Sequence, residues 1–180
     1  PVRTTFLARS WRLGGGASLL AAKAIGGRDR EGASRVFTAA LYSVLAVGVV
    51  VTVASYACCE QISRIVCADD EIRPMVLSYL RVTSLGVTVL VLSGMMNMMV
   101  QSDGRPRLVT CAVIVGAVTN VVLDIVFIKM LGLGIAGSAW ATVINYGVTV
   151  CITSSHLRRK SCSYRIVRFT KQVWHTLGAN

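Results

Sequence analysis

Four stretches of this chain hold no Asp, Glu, Lys or Arg: residues 36–59, 82–102, 108–123 and 130–157. A helix needs about 20 consecutive apolar residues to cross the hydrocarbon core of a bilayer. Three of the four runs reach that length, and the fourth does so at about Ile128 once Asp124 is admitted. Lipid offers no partner to an unpaired backbone N–H or C=O, so each run must satisfy its own groups, which helices do. The abundant valine is therefore no argument for strands. The expected fold is all-α, a polytopic transmembrane helical bundle. Only 15% of the residues are charged, against about 25% in an ordinary soluble domain. The 180 residues leave no length for a separate soluble domain beside the spans.

Five spans are expected, at about 6–25, 36–59, 75–100, 108–128 and 134–156. The first is the weakest, because Arg9 and Arg12 interrupt it and "LGGGAS" follows. "QSDGRPR" is a tight turn between the third and fourth spans, with Gly and Pro setting its backbone. "KMLGLGIAGS" is a Gly-rich turn into the fifth. Residues 158–180 form a separate segment, in which Ile166, Phe169, Val173, Trp174 and Leu177 share one helical face. That predicts an amphipathic helix over 164–177 lying on the membrane surface.

The formal charge is +11. In a soluble protein it would suggest nucleic acid as a partner, but here the basic residues sit in connections between apolar runs. Twelve fall in the 23–35 and 101–107 connections and after the fifth span; the opposite connections hold Arg64, Arg73 and Lys129, with four acidic residues. The positive-inside bias makes the richer side cytoplasmic, so 60–73 and 129–133 face out and the chain ends inside. No nucleic acid is expected.

The six cysteines show no CxxC and no metal-ligand spacing, and no disulfide framework is expected. "LGGGAS" lacks the preceding strand and the GK[ST] of a phosphate loop. His156 and His175 are expected to stand alone at the membrane surface. No nucleophile–base pair is visible, so the chain is not read as an enzyme. It opens at Pro1 without a signal-peptide pattern, and is expected to be an interior stretch of a longer protein.

The costly residue is Asp124. An ionised side chain at the bilayer centre costs roughly 2.5–3.5 kcal/mol on insertion scales. Asn120 lies four residues earlier, on the same helical face. Asp124 is about 6 Å from the outer end of its span, so it either reaches the outer interface near Lys129 or lines a cavity. The polar asparagine one turn deeper favours the cavity. The fifth span offers a matching face, with Ser138, Thr142, Asn145 and Tyr146 at spacings of three and four. Gly137 and Ala141 there form a small-residue stripe that allows close helix approach. The third span ends with Asn97 among Met95, Met96, Met98 and Met99; methionines fill packing gaps and also line surfaces that accept varied apolar ligands.

Three motifs in order, "GGGASLLAAKAIGGRDREGASRVFTAAL", "GMMNMMVQSDGRPRL" and "GAVTNVVLDIVFIKMLGLGIAGSAWATVI", look like the multidrug and toxic compound extrusion (MATE) transporters. The resemblance covers about 13–156. It implies five of the twelve helices of such a transporter: most of the N-terminal six-helix lobe over 1–157, without helix one, followed by an inter-lobe linker. It implies a secondary antiporter of the bacterial or archaeal cytoplasmic (inner) membrane that exports organic, often cationic or amphipathic, compounds by alternating access. The coupling ion would be H⁺ or Na⁺, with no other cofactor. By similarity the cation-coupling residues are Asn120, Asp124 and Thr142, which are also the ligand set for Na⁺, and Asn97 lines the substrate cavity. Met95, Asn145 and Tyr146 are assigned to that cavity with it. The implied partners are small organic substrates, the lipid bilayer, helix one and the C-terminal lobe. The alternatives are a lipid-linked oligosaccharide flippase of the same wider superfamily, or a non-transporting membrane protein fragment. Flippase cavities tend to be lined with cations, and Arg81 is the one candidate within a firm span.

Overall fold

The computed structural model describes residues 30–66, 72–158 and 162–164. They form four long helices: α1 (Arg30–Val66), α2 (Arg73–Ser102), α3 (Pro106–Asp124) and α4 (Gly134–Ser154). α3 continues as a π-helical turn, Ile125–Met130, and α4 as a 3-10 turn, Ser155–Arg158. No strand occurs among the described residues. The span expected at 6–25 and the surface helix expected at 164–177 lie outside the described residues, Tyr164 apart.

The spans expected at 36–59 and 75–100 fall inside α1 and α2, and those at 108–128 and 134–156 inside α3 and α4 taken with their π-helical and 3-10 continuations. The helices run past the charge-free stretches because a helix does not end where the hydrocarbon does. With 37 residues, α1 is about 55 Å long at 1.5 Å per residue, well beyond the roughly 30 Å core of a bilayer. Its ends carry exposed i,i+4 ion pairs, Glu31–Arg35 at 2.9 Å and Glu60–Arg64 at 2.8 Å. Such pairs add only a few tenths of a kcal/mol each (about 0.3–0.5), but they suit ends standing in water.

The turns are set by backbone chemistry. Gly104, at φ 77°, reverses the chain after α2, and Pro106 opens α3 at a position where no helical N–H is needed. Gly132 and Gly134, at φ 64° and 55°, do the same before α4.

α1 packs on α2, and α4 lies between α2 and α3, which scarcely touch each other. The α3–α4 seam depends on missing side chains. A Cβ on Gly116 would run into Asn145 Oδ1 and lie 2.7 Å from Thr149 Oγ1; one on Gly137 would lie 2.8 Å from Phe127 Cβ. Close approach through small residues is how helices associate in lipid, where no hydrophobic drive operates between them. A buried cluster of Ala33, Val36, Phe37, Met95, Met96 and Met99 joins α1 to α2 and is closed by Tyr164, whose ring stacks on Phe37 at 5.3 Å. Val113, Ile114, Val118, Val121 and Val122 of α3 are exposed, as suits contact with lipid or with further helices. The chain is a multi-pass membrane protein.

Candidate ion-coupling site

The last turns of α3 bring Asn120 and Asp124 onto the side that meets α4. Thr142 Oγ1 donates its proton to the Ser138 carbonyl at 3.0 Å, within its own helix. It can then only accept, and Asn120 Nδ2 lies 3.5 Å away to donate to it. This fixes the sense of the amide: nitrogen towards Thr142, leaving oxygen as the atom it presents to a cation. The half-buried Asp124 has its Oδ1 buried with no hydrogen-bond partner. Lys129 is exposed, and no ion pair joins it to Asp124.

α3 changes character at this point. The π-helical turn begins at Ile125, directly after Asp124, and Leu131 N–H reaches back five residues to the Val126 carbonyl at 3.0 Å. Such turns widen a helix locally and recur at functional sites. Here the turn lies between Asp124 and the Gly132–Gly134 reversal.

The remaining sequence-derived residues are dispersed. Asn97, on α2, is half-buried, and its Oδ1 is buried without a hydrogen-bond partner. No hydrogen bond joins it to Asn120, Asp124 or Thr142 among the described residues. Met95 is 3% exposed and sits in the α1–α2 cluster beneath Tyr164. Asn145 turns its Oδ1 onto Gly116 in the α3–α4 seam. Tyr146 is half-buried.

The MatE family model matches residues 2–126, more than half of the chain. The chain belongs to the MatE family. Curated relatives include the multidrug export protein MepA of Staphylococcus saprophyticus, 26% identical over 165 residues, and MepA of Staphylococcus haemolyticus, 22% identical over 161. Each alignment covers 89% of this chain but 36% of the relative, so the chain spans about a third of the curated proteins it matches.

The solved structures agree. An inward-facing multidrug resistance MATE transporter of the MOP superfamily superposes with a TM-score of 0.85 at 28% identity, over 97% of this chain and 41% of that one. An outward-facing MATE transporter gives 0.83, also at 28%, over 97% of this chain and 40% of that one. A MOP-superfamily transporter from Pyrococcus furiosus, described as having a binding pocket of reverse polarity that suggests a different function, also gives 0.83 at 28% with the same coverages. The architecture is thus shared by MATE-fold proteins whose pockets differ.

At its other end, this MATE-family chain departs from one expectation. His156 does not stand alone at the surface: it is fully buried, and its Nε2 lies 2.6 Å from Asp103 Oδ2. Ser163 N–H donates to the same oxygen at 3.2 Å. Burial pushes the Asp103 carboxyl up, but hydrogen bonds from the Ser163 side chain, His156 and the Ser163 backbone together hold it below the ordinary carboxylate range. Cys162 is buried beside this pair, and burial pushes its thiol up. Residues 103 and 156 are 53 positions apart, so no local motif signals the contact. It forms because α4 packs on α2 and brings its own end beside the turn that follows α2.

Proposed function

We propose that this chain forms most of the N-terminal lobe of a MATE-type secondary antiporter, which exports organic, often cationic or amphipathic, compounds in exchange for H⁺ or Na⁺. The observation that carries the proposal is Asp124, an acid with a buried, unpartnered oxygen one turn from an amide held by Thr142 of the next helix. An intramembrane ionisable residue is a functional candidate by default, and a buried carboxylate is stabilised by taking up a proton or a cation. A proton at Oδ1 would satisfy that oxygen. A Na⁺ ion would draw on the same carboxylate together with the Asn120 and Thr142 oxygens, an all-oxygen set that suits a hard cation.

Coupling follows from the packing. Asp124 is on α3 and Thr142 on α4, so an ion held by both biases the α3–α4 seam towards one arrangement. A ligand shifts a conformational equilibrium only through its different affinity for the two states. Exchange of the ion for substrate is then the step that turns the lobe from one membrane face to the other. The exposed apolar face of α3 provides contact with lipid or with the rest of the transporter. Kinship to multidrug export proteins favours this reading over the flippase. The cytoplasmic (inner) membrane is the matching location, with the basic connections inside.

The test is Asp124→Asn in the full-length protein, assayed by dye efflux from cells. Ion-driven efflux is expected to fall to background while membrane expression stays at the wild-type level. Efflux at the wild-type rate would overturn the assignment.

A further inference from the structure

The cluster at the cytoplasmic end has more ligand capacity than the surrounding packing uses. Asp103, His156 and Cys162 each offer one donor atom, and these atoms lie within 4.8 Å of one another. His156 and Cys162 are buried, and the Asp103 side chain is 4% exposed. The imidazole engages Asp103 through Nε2, while Nδ1 is buried with no hydrogen-bond partner. We propose that these three residues form a binding site for a borderline-soft divalent ion of the zinc class.

The donor chemistry selects the class. One thiolate, one imidazole and one carboxylate form a mixed S, N, O set, which suits Zn²⁺ and not Mg²⁺ or Ca²⁺, both of which take oxygen ligands. With bonds of about 2.0–2.3 Å, ligand atoms around a tetrahedral ion stand roughly 3.2–3.7 Å apart. The three donors therefore close on an ion with shifts on the order of 1 Å, leaving a fourth position for water. Thiolate and carboxylate together carry two negative charges and balance the ion. Binding releases the Cys162 thiol proton to solvent and leaves the imidazole neutral. Arg105, Arg107 and Arg158 flank the cluster and place it on the cytoplasmic side by the positive-inside bias, where thiols stay reduced. An ion there would tie residue 162, beyond α4, to the turn after α2.

The experiment uses the full-length protein, untagged and in detergent, titrated with Co²⁺ as a spectroscopic stand-in for zinc. One Co²⁺ per chain is expected, with a thiolate-to-cobalt charge-transfer band and tetrahedral visible bands that Zn²⁺ abolishes in competition. Cys162→Ser should lose the charge-transfer band while the protein still elutes as a single species, and Asp103→Asn should weaken binding at least tenfold. A double Cys111→Ser, Cys151→Ser variant should bind as the wild type does. Absence of stoichiometric binding by the folded protein overturns the proposal and leaves Asp103–His156 as a purely structural contact. A charge-transfer band that survives Cys162→Ser, or unchanged affinity in Asp103→Asn, overturns the ligand set.

Discussion

At the far end of α3, Asp124 keeps a buried oxygen without a partner, whereas in the turn that precedes α3, about 30 Å away by the length of that helix, Asp103 gives one oxygen to both His156 and Ser163. Both are acids in a chain with very few. The Asp103 oxygen already has two partners, which tie the turn after α2 to the end of α4 and to residue 163, and an ion bound there would add to that tie. A buried group left short has a reason to bind and release one. The difference sets a contact that joins distant parts of the described chain apart from the acid to which the proposed function assigns the coupling ion.

The comparison can be broken most forcefully at Gly116, on the α3–α4 seam between the two acids. Gly116→Val drives a branched side chain into Asn145 and Thr149. Overpacking of this kind costs about 1–3 kcal/mol or more. We expect loss of both the Asn120–Thr142 contact and thermal stability, read as a lower melting temperature and absent efflux. A stable, active Gly116→Val protein would show that the seam does not hold the site.

Asp103→Ala comes next. Leaving the buried imidazole without its hydrogen-bond partner costs about 1–3 kcal/mol, so the melting temperature should fall while ion selectivity of transport is kept in the surviving protein. A change in coupling ion with no loss of stability would reverse the roles assigned to the two acids.

Thr142→Val removes the oxygen that holds the Asn120 amide. One hydrogen bond is worth about 1 kcal/mol, or about fivefold, so the concentration of ion giving half-maximal efflux should rise by that order. An unchanged value would place Thr142 outside the site.

The smallest effect concerns pH. The Asp103 carboxyl is held below the ordinary value, which is about 3.9 in an unfolded chain. A depressed folded value adds stability that is fully present above the unfolded value and is lost as pH falls through the folded one. The melting-temperature gap between wild type and Asp103→Asn should therefore shrink below about pH 4, and a gap that widens there would contradict the contact.

The helices were legible because charge-free runs in a chain like this have one stable conformation in lipid. Their ends were not, since Glu31–Arg35 and Glu60–Arg64 extend α1 into water by ion pairing that hydropathy does not weigh. A spacing of four put Asn120 and Asp124 on one face in the sequence, and the polar face of the next span offered Thr142, which Asn120 alone of the two reaches. Met95 and Asn145 show where spacing stops. Both lie on polar or methionine-rich faces, yet one fills a core under Tyr164 and the other covers a glycine. The periodicity of a helix tells which residues share a face, not which neighbour that face meets. Asp103 and His156 depend wholly on that second kind of information.

The most direct test of the central claim is uphill transport in proteoliposomes by the full-length Asp124→Asn protein, with an imposed H⁺ or Na⁺ gradient and substrate binding measured alongside. The account predicts substrate binding close to wild type and no accumulation above equilibrium in either gradient. Gradient-driven accumulation at the wild-type rate would contradict it.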